Sequence, residues 1–375
     1  MAKEQTTWPL MLCGPMLRRV EPTGVNVFVA LKHAREVALT VFDGETAVAQ
    51  GTGATLAFGK YLHVTVVTAV PTHGDLVPGK VYTYDVTFTA GAGTDPLDTD
   101  RAVKTLASPN LAGPGSLLEG TLALGYAPNA RPGFALPPTE LKDLRLAHAS
   151  CRKPHGEGTD ALPILDTIIR QSYMSPTDRP HQLFLTGDQI YADDVAEPLL
   201  EQLMVVAKNL MWGTDEVLPP RESGGTPPTP AELAPGVRDR AVKPPLTSDE
   251  AVCHLIRLGE FAGMYLFAWT DTLWDGLTPR PLPVRMPTDS DYTFDAKKKK
   301  VETYNAQVES LKHFRDALGK VRRALANVPT YMAFDDHEIT DDWYIHRHMR
   351  ENVLESPLGR RIVTNGLCAY SVFQA

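Results

Sequence analysis

The tetrad Asp335-Asp336-His337-Glu338 follows directly on the apolar run Val328 to Phe334. Carboxylates and an imidazole at the carboxyl end of a strand are the groups a metal-assisted hydrolase uses, and open α/β sheets bind ligands in the crevice outside those ends. The same plan recurs upstream, where His181 to Thr186 runs into Gly187-Asp188-Gln189-Ile190-Tyr191. A third strand-like run, Leu144 to Ala149, opens into Ser150-Cys151-Arg152-Lys153-Pro154-His155-Gly156. Cys151 and Asp188 are 37 residues apart, and Asp188 and Asp336 148. Those intervals fit strand–helix–strand units, the second carrying a large insertion. Cys151, Asp188, Tyr191 and Asp336 are thereby delivered to one edge of one sheet.

The elements that must position these residues lie in the second part of the chain. Asp160 to Gln171 and Val195 to Trp212 read as helices. Val308, Leu311, Phe314, Leu318, Val321 and Leu325 recur at intervals of three and four, an amphipathic helix leading into the Val328–Phe334 strand. Alternating strands and helices imply a layered α/β domain. Residues 213–246 hold eight prolines and predict an irregular insertion, a surface excursion rather than a lid. Lys297 to Lys300 reads as a solvated turn, and the final ten residues as a helix. Before the prolines at 128, 132, 137 and 138 the texture differs. Gly24–Leu31, Tyr61–Val67 and Tyr82–Phe88 alternate in polarity and are separated by turns such as Asp43-Gly44. Strands so spaced predict an antiparallel sandwich of immunoglobulin or fibronectin type. The expected division is residues 1–138 all-β and 139–375 catalytic.

The 375 residues carry a net charge of −8, with 43% hydrophobic and 22% charged. That balance argues against a protein that coats nucleic acid or an anionic membrane, since both need a basic surface. It leaves an anionic substrate open, because bound ions can outweigh the global sign. No run approaches the roughly 18 apolar residues of a membrane span. Glu4, Pro9 and Pro15 break a signal sequence. Cys13, Cys151, Cys253 and Cys368 form no close pair, the expectation for a reducing cytoplasm.

The stretches Ala149–Gly156, Thr186–Asp193 and Phe334–Glu338 resemble the calcineurin-like metallophosphoesterases, in particular the PhoD-like (alkaline phosphatase D) branch. The general pattern there is D-x-H, G-D-x-x-D and G-N-H-[DE]; in that branch a cysteine takes the first position and a tyrosine ends the second motif. The resemblance implies a four-layer β-sandwich flanked by helices, an α/β (α+β) fold preceded by an all-β domain. It makes Cys151 a ligand of a first metal, Asp188 the bridge between two, Tyr191 a phenolate ligand and Asp336 a ligand of the second. His337 becomes the acid beside the leaving group. Arg152, by its residue type, reads either as a bidentate phosphate contact or as a surface salt bridge. The implied activity is hydrolysis of phosphomonoesters or phosphodiesters by metal-activated hydroxide. Thiolate and phenolate donors suit Fe³⁺, paired with a divalent ion such as Ca²⁺, Mn²⁺ or Zn²⁺.

Each residue also has an ordinary role. Alone, Cys151 reads as a small buried hydrophobe and Tyr191 as a half-buried aromatic. Asp335 reads as a turn residue accepting backbone hydrogen bonds, Asp341 and Asp342 as helix-start carboxylates, and His155, His346 and His348 as surface or supporting groups. A different chemistry uses Cys151 as nucleophile with His337 as base and Asp336 as orienter, although the C-x₅-R loop of cysteine phosphatases is absent. The family's later histidine motifs are also missing after His337. That points to an N-terminal portion of a longer enzyme, or to an inactive binding module.

Overall fold

The computed structural model describes residues 8–91, 102–106, 123–127, 130–243, 246, 248–341 and 347–374. Among these residues, those of the first half form a curled antiparallel sheet of nine strands. They are β1 (Met11–Glu21), β2 (Gly24–Leu31), β3 (Arg35–Asp43), β4 (Thr46–Ala54), β5 (Leu56–Gly59), β6 (Leu62–Pro71), β7 (Val81–Ala90), β8 (Lys104–Thr105) and β9 (Gly133–Ala135). The order is β1-β2-β6-β4-β3-β7-β8, with β5 on β6 and β9 on β7. Alternation decides which face goes inward: Val37, Leu39 and Val41 of β3 pack with Tyr84, Val86 and Phe88 of β7. In β2 the alternation breaks down after Asn26, and Val27 to Leu31 are all buried. Val27 and Val29 join the core of this sheet, whereas Phe28 and Ala30 join the core of the helical half. The strand is covered on both faces.

The second half holds a three-stranded parallel sheet, β10 (Leu146–Ala149), β11 (Gln182–Leu185) and β12 (Thr330–Met332), in that order. Ala149 pairs with Leu185, and Leu185 with Met332. All three strands are shorter than their apolar runs predict. Among the described residues this single sheet stands where the resemblance implies facing sheets. Around it lie α1 (Pro163–Ser172), α2 (Glu197–Leu210), α3 (Asp239–Val242), α4 (Leu258–Trp269), α5 (Asp291–Asn327), α6 (Arg347–Glu355) and α7 (Pro357–Phe373). From Gly259 to Trp269, α4 is buried all round, as its nearly unbroken apolar sequence requires. No helix among the described residues is long and apolar enough to cross a membrane.

Two local expectations are corrected. Lys297–Lys300 is not a turn; it lies within the 37 residues of α5, exposed to solvent. Four lysines are good helix formers, and the Ser290 hydroxyl caps the helix by accepting from Thr293 N. The Pro-rich insertion is irregular apart from α3, yet it is no loose excursion. Leu218, Leu233, Val242 and Leu246 bury into the main core. Its anchor is Arg238, fully buried, whose guanidinium donates to both oxygens of Glu260 at 2.8 Å and to the carbonyls of Leu233 and His254. Asp342 and His346 lie outside the described residues.

Burial by itself would raise the Glu260 carboxyl, but the charges and hydrogen bonds of Arg238 and Arg257 outweigh it and hold the pKa at about 2 against an ordinary 4.5. A folded-state pKa below the unfolded one means stability that is full above about pH 4.5 and drains as pH falls toward 2. Urea unfolding at pH 7, 4.5 and 3 should show this loss, and Glu260→Gln should flatten it. Glu260→Ala strands the Arg238 charge and should cost about 3–5 kcal/mol at pH 7. A pH slope unchanged in the glutamine variant would contradict the assignment.

Candidate metal-binding active site

The register of β10, β11 and β12 brings three loops out side by side. The first two bend back at once, because Cys151 and Asp188 adopt left-handed backbone, φ 56° and 55°. They are the only non-glycine residues to do so among the described residues. Such conformations cost of order 1–3 kcal/mol and persist where surrounding structure enforces them. Here Cys151 N donates to Gly187 O at 3.3 Å and Arg152 N to Asp188 O at 2.8 Å, zipping the two bends together. Gly187, φ 108°, is required between them: a Cβ there would lie 2.2 Å from that of Asp335.

Glu338 ties the third loop in. Its fully buried carboxylate accepts from Asp188 N (3.0 Å), Gln189 N (2.7 Å), Asp335 N (2.8 Å) and Gln374 Nε2 (3.0 Å). Burial still lifts its pKa above the ordinary range. Asp335 accepts from Asp336 N, the turn role its position predicts.

The side chains converge in front of this frame. Cys151 Sγ lies 3.2 Å from Asp188 Oδ2. One ligand atom each from Asp188, Asp336 and His337 falls within 4.8 Å of the others. The ring of Tyr191 stacks on His337, centroids 4.3 Å apart. Burial raises the Asp188 carboxyl, and Asp335 and Asp336 add to the shift. Tyr191 is raised far above its usual range by burial and then by Asp188 and Cys151. Four groups that are anionic when deprotonated thus crowd together, and a cation would reverse that cost. Asp188 Oδ1 is buried and accepts no hydrogen bond among the described residues. An unmatched carboxylate oxygen amid sulfur, phenol and imidazole fits a metal ion.

One residue occupies another place than expected. Arg152, expected at the phosphate, is 7% exposed and turns inward. It forks onto Asp160 (Nε 3.0 Å, Nη2 2.7 Å), donates to Ala268 O and covers the Phe314 ring at 4.5 Å. Its guanidinium is spent on holding the 150–160 loop to α4 and α5. Of the two readings of His155, surface or supporting, the structure shows the second: it bonds Asp194 Oδ1 at 3.2 Å, beside the Lys153–Asp194 ion pair. Sequence reasoning assigned nothing to Asp193, which accepts from His337 Nδ1 at 2.9 Å, Ser248 Oγ at 2.9 Å and Asp341 N at 2.9 Å. Burial opposes its ionisation, but the bond from His337, the charges of His254 and His337 and the Asp341 N–H hold its pKa at about 2. A carboxylate only accepts, so His337 Nδ1 carries a proton and Nε2 is left for the site. The Asp193-Asp194 doublet was the available signal.

No protein-family model matches the chain, and no curated protein matches it. A solved structure described as "Structure of PhoD" is a structural neighbour with 13% identity and a TM-score of 0.41. The overlap covers 97% of this chain and 47% of that one, so the chain spans about half of its length. A likeness at this level carries no argument about chemistry, which rests on the geometry of the loops.

Glu338→Ala would strand the buried N–H groups of Asp188 and Gln189, each costing about 1–3 kcal/mol, and unpair the part-buried Asp335 N–H. The expected result is a fall in the urea midpoint equivalent to several kcal/mol. A variant as stable as the parent would show that Glu338 does not organise the loops.

Proposed function

We propose that the chain carries the active site of a metal-dependent phosphoesterase, of the PhoD-like branch of the calcineurin-like metallophosphoesterases, hydrolysing phosphomonoesters or phosphodiesters. The observation that carries this reading is the strained, contacting pair Cys151 and Asp188, facing Asp336 and His337 with one buried Asp188 oxygen unmatched. Cys151, Asp188 and Tyr191 would hold a first ion, Fe³⁺ by donor type. Asp188 and Asp336 would share a second, Ca²⁺, Mn²⁺ or Zn²⁺. When bound, such a pair offsets phosphoryl charge and makes water acidic enough to attack at neutral pH. His337 gives a proton to the departing alkoxide from Nε2, and Asp193 sets its tautomer and ring orientation. A Cys151 nucleophile would need the His337 base at its sulfur, and the groups bonded there are an Asp188 carboxylate oxygen at 3.2 Å and the Ser150 hydroxyl at 3.4 Å.

In this reading β1–β9 form an immunoglobulin- or fibronectin-like module, and residues from about 139 onward contribute to a four-layer catalytic domain. All four cysteines are free, the state a reducing cytoplasm maintains, where we place the protein.

Elemental analysis of the purified chain should find iron with a second metal, and hydrolysis of a chromogenic phosphodiester should be abolished by chelator. Asp188→Ala should lose metal and turnover together. His337→Ala should keep its metals while losing about 10²–10⁴-fold in kcat. Turnover that survives chelation but disappears in Cys151→Ala would transfer the chemistry to the cysteine.

A further inference from the structure

Beside the reactive edge, a cavity of about 400 Å³ lies between the 149–163 loop and one face of α5, and its wall includes Cys151. Ser310, His313, Phe314 and Ala317 line it from the helix, the i, i+3, i+4, i+7 pattern of a single face. Phe314 is buried beneath Arg152, so what the cavity meets from α5 is chiefly Ser310, His313 and Ala317. Across from them stand Lys153 and Thr159. The side chains of Thr159, Ser310 and His313 have no hydrogen-bond partner among the described residues. The volume falls within the 300–1,000 Å³ typical of organic-ligand sites, well beyond the needs of a bare phosphate.

The loop decides which cation reaches the mouth. Arg152 turns inward onto Asp160, and its neighbour Lys153 turns outward. The Lys153 side chain is one-third exposed, with its ammonium held by Asp194 and lying 5.8 Å from the Tyr191 ring centroid. Tyr191 in turn stacks on His337. Lys153 therefore stands where the cavity meets the candidate metal ligands, with its counter-ion already in place to fix it.

Resting on the phosphoesterase reading, we propose that this cavity is the subsite for the organic half of the ester, with Lys153 contacting the phosphoryl group at its mouth. It takes a polar, ring-bearing group of nucleoside size that carries hydrogen-bonding atoms for Ser310, His313 and Thr159. Ala317, the last of the lining residues on the helix face, sets the room available at that end. Preference for organic phosphates over small ones then resides in α5, outside the three motif loops.

Calorimetric titration of the metal-loaded full chain tests this without needing turnover, using orthophosphate and a non-hydrolysable nucleoside phosphonate as probes. The phosphonate should bind about tenfold tighter than orthophosphate. Ala317→Trp should remove that advantage and leave orthophosphate unchanged; Ser310→Phe fills the same face and gives the same reading should the tryptophan variant not fold. Lys153→Ala should weaken both probes by about tenfold. Equal binding of the two probes by the parent, binding of neither, or a phosphonate advantage that survives both filling variants overturns the subsite. Metal content and chelator-sensitive turnover, measured on the same preparation, judge the phosphoesterase reading separately. If they are intact while the binding pattern fails, only the subsite falls.

Discussion

The buried carboxylate of Glu338 is the constraint on which the site depends. Three short strands end next to one another, but strand ends alone leave their loops free to diverge. Glu338 closes the second and third loops onto each other by accepting from Asp188 N, Gln189 N and Asp335 N, and it reaches α7 through Gln374. Hydrogen bonds to a charged acceptor contribute about 1.5–3 kcal/mol each, enough to hold Asp188 in a backbone conformation a non-glycine residue avoids. The strain at Asp188 and the order of its carboxylate have one cause.

The same logic extends outward in shells. Gly187 permits the close approach of Asp335, Asp193 fixes His337, and Arg152 draws the Cys151 loop down onto α4 and α5. Each of these groups is buried and satisfied by fixed partners, so the converging acids cannot relax apart to escape their mutual repulsion. Preorganised repulsion of this kind favours a bound cation, since the cost of assembling the ligands is met in folding. The antiparallel sheet contributes too. Its strand β2 is buried on both faces, and Phe28 packs edge-on against Phe373 of α7 at 5.8 Å, one residue before Gln374. The sheet thus braces the helix that reaches Glu338.

Much of this was legible in the residues. Cys151, Asp188, Tyr191, Asp336 and His337 were identified by type and by their position after apolar runs, and the structure brings those five together. The alternation of β3 and β7 and the three-to-four spacing along α5 are local signals that survive folding, because each element needs a face to bury. Arg152 was misjudged for an equally physical reason. Sequence shows a guanidinium next to a candidate ligand but not which way the bend turns it, and a left-handed Cys151 sends it inward. Lys297–Lys300 was misread because a charge run looks the same in a turn and on an exposed helix.

The sequence by itself determined the chemistry available: which donors exist, which strands carry them and in what order. Only the tertiary structure decided which carboxylates converge as candidate ligands and which act as props. Asp193 and Glu338 are carboxylates like Asp188 and Asp336 and sit within the same motifs. Their difference lies in partners contributed by distant segments, by Ser248, Asp341 and Gln374. A carboxylate becomes a prop when burial supplies hydrogen-bond donors for its oxygens, and remains a candidate ligand when, as at Asp188 Oδ1, burial leaves an oxygen without one.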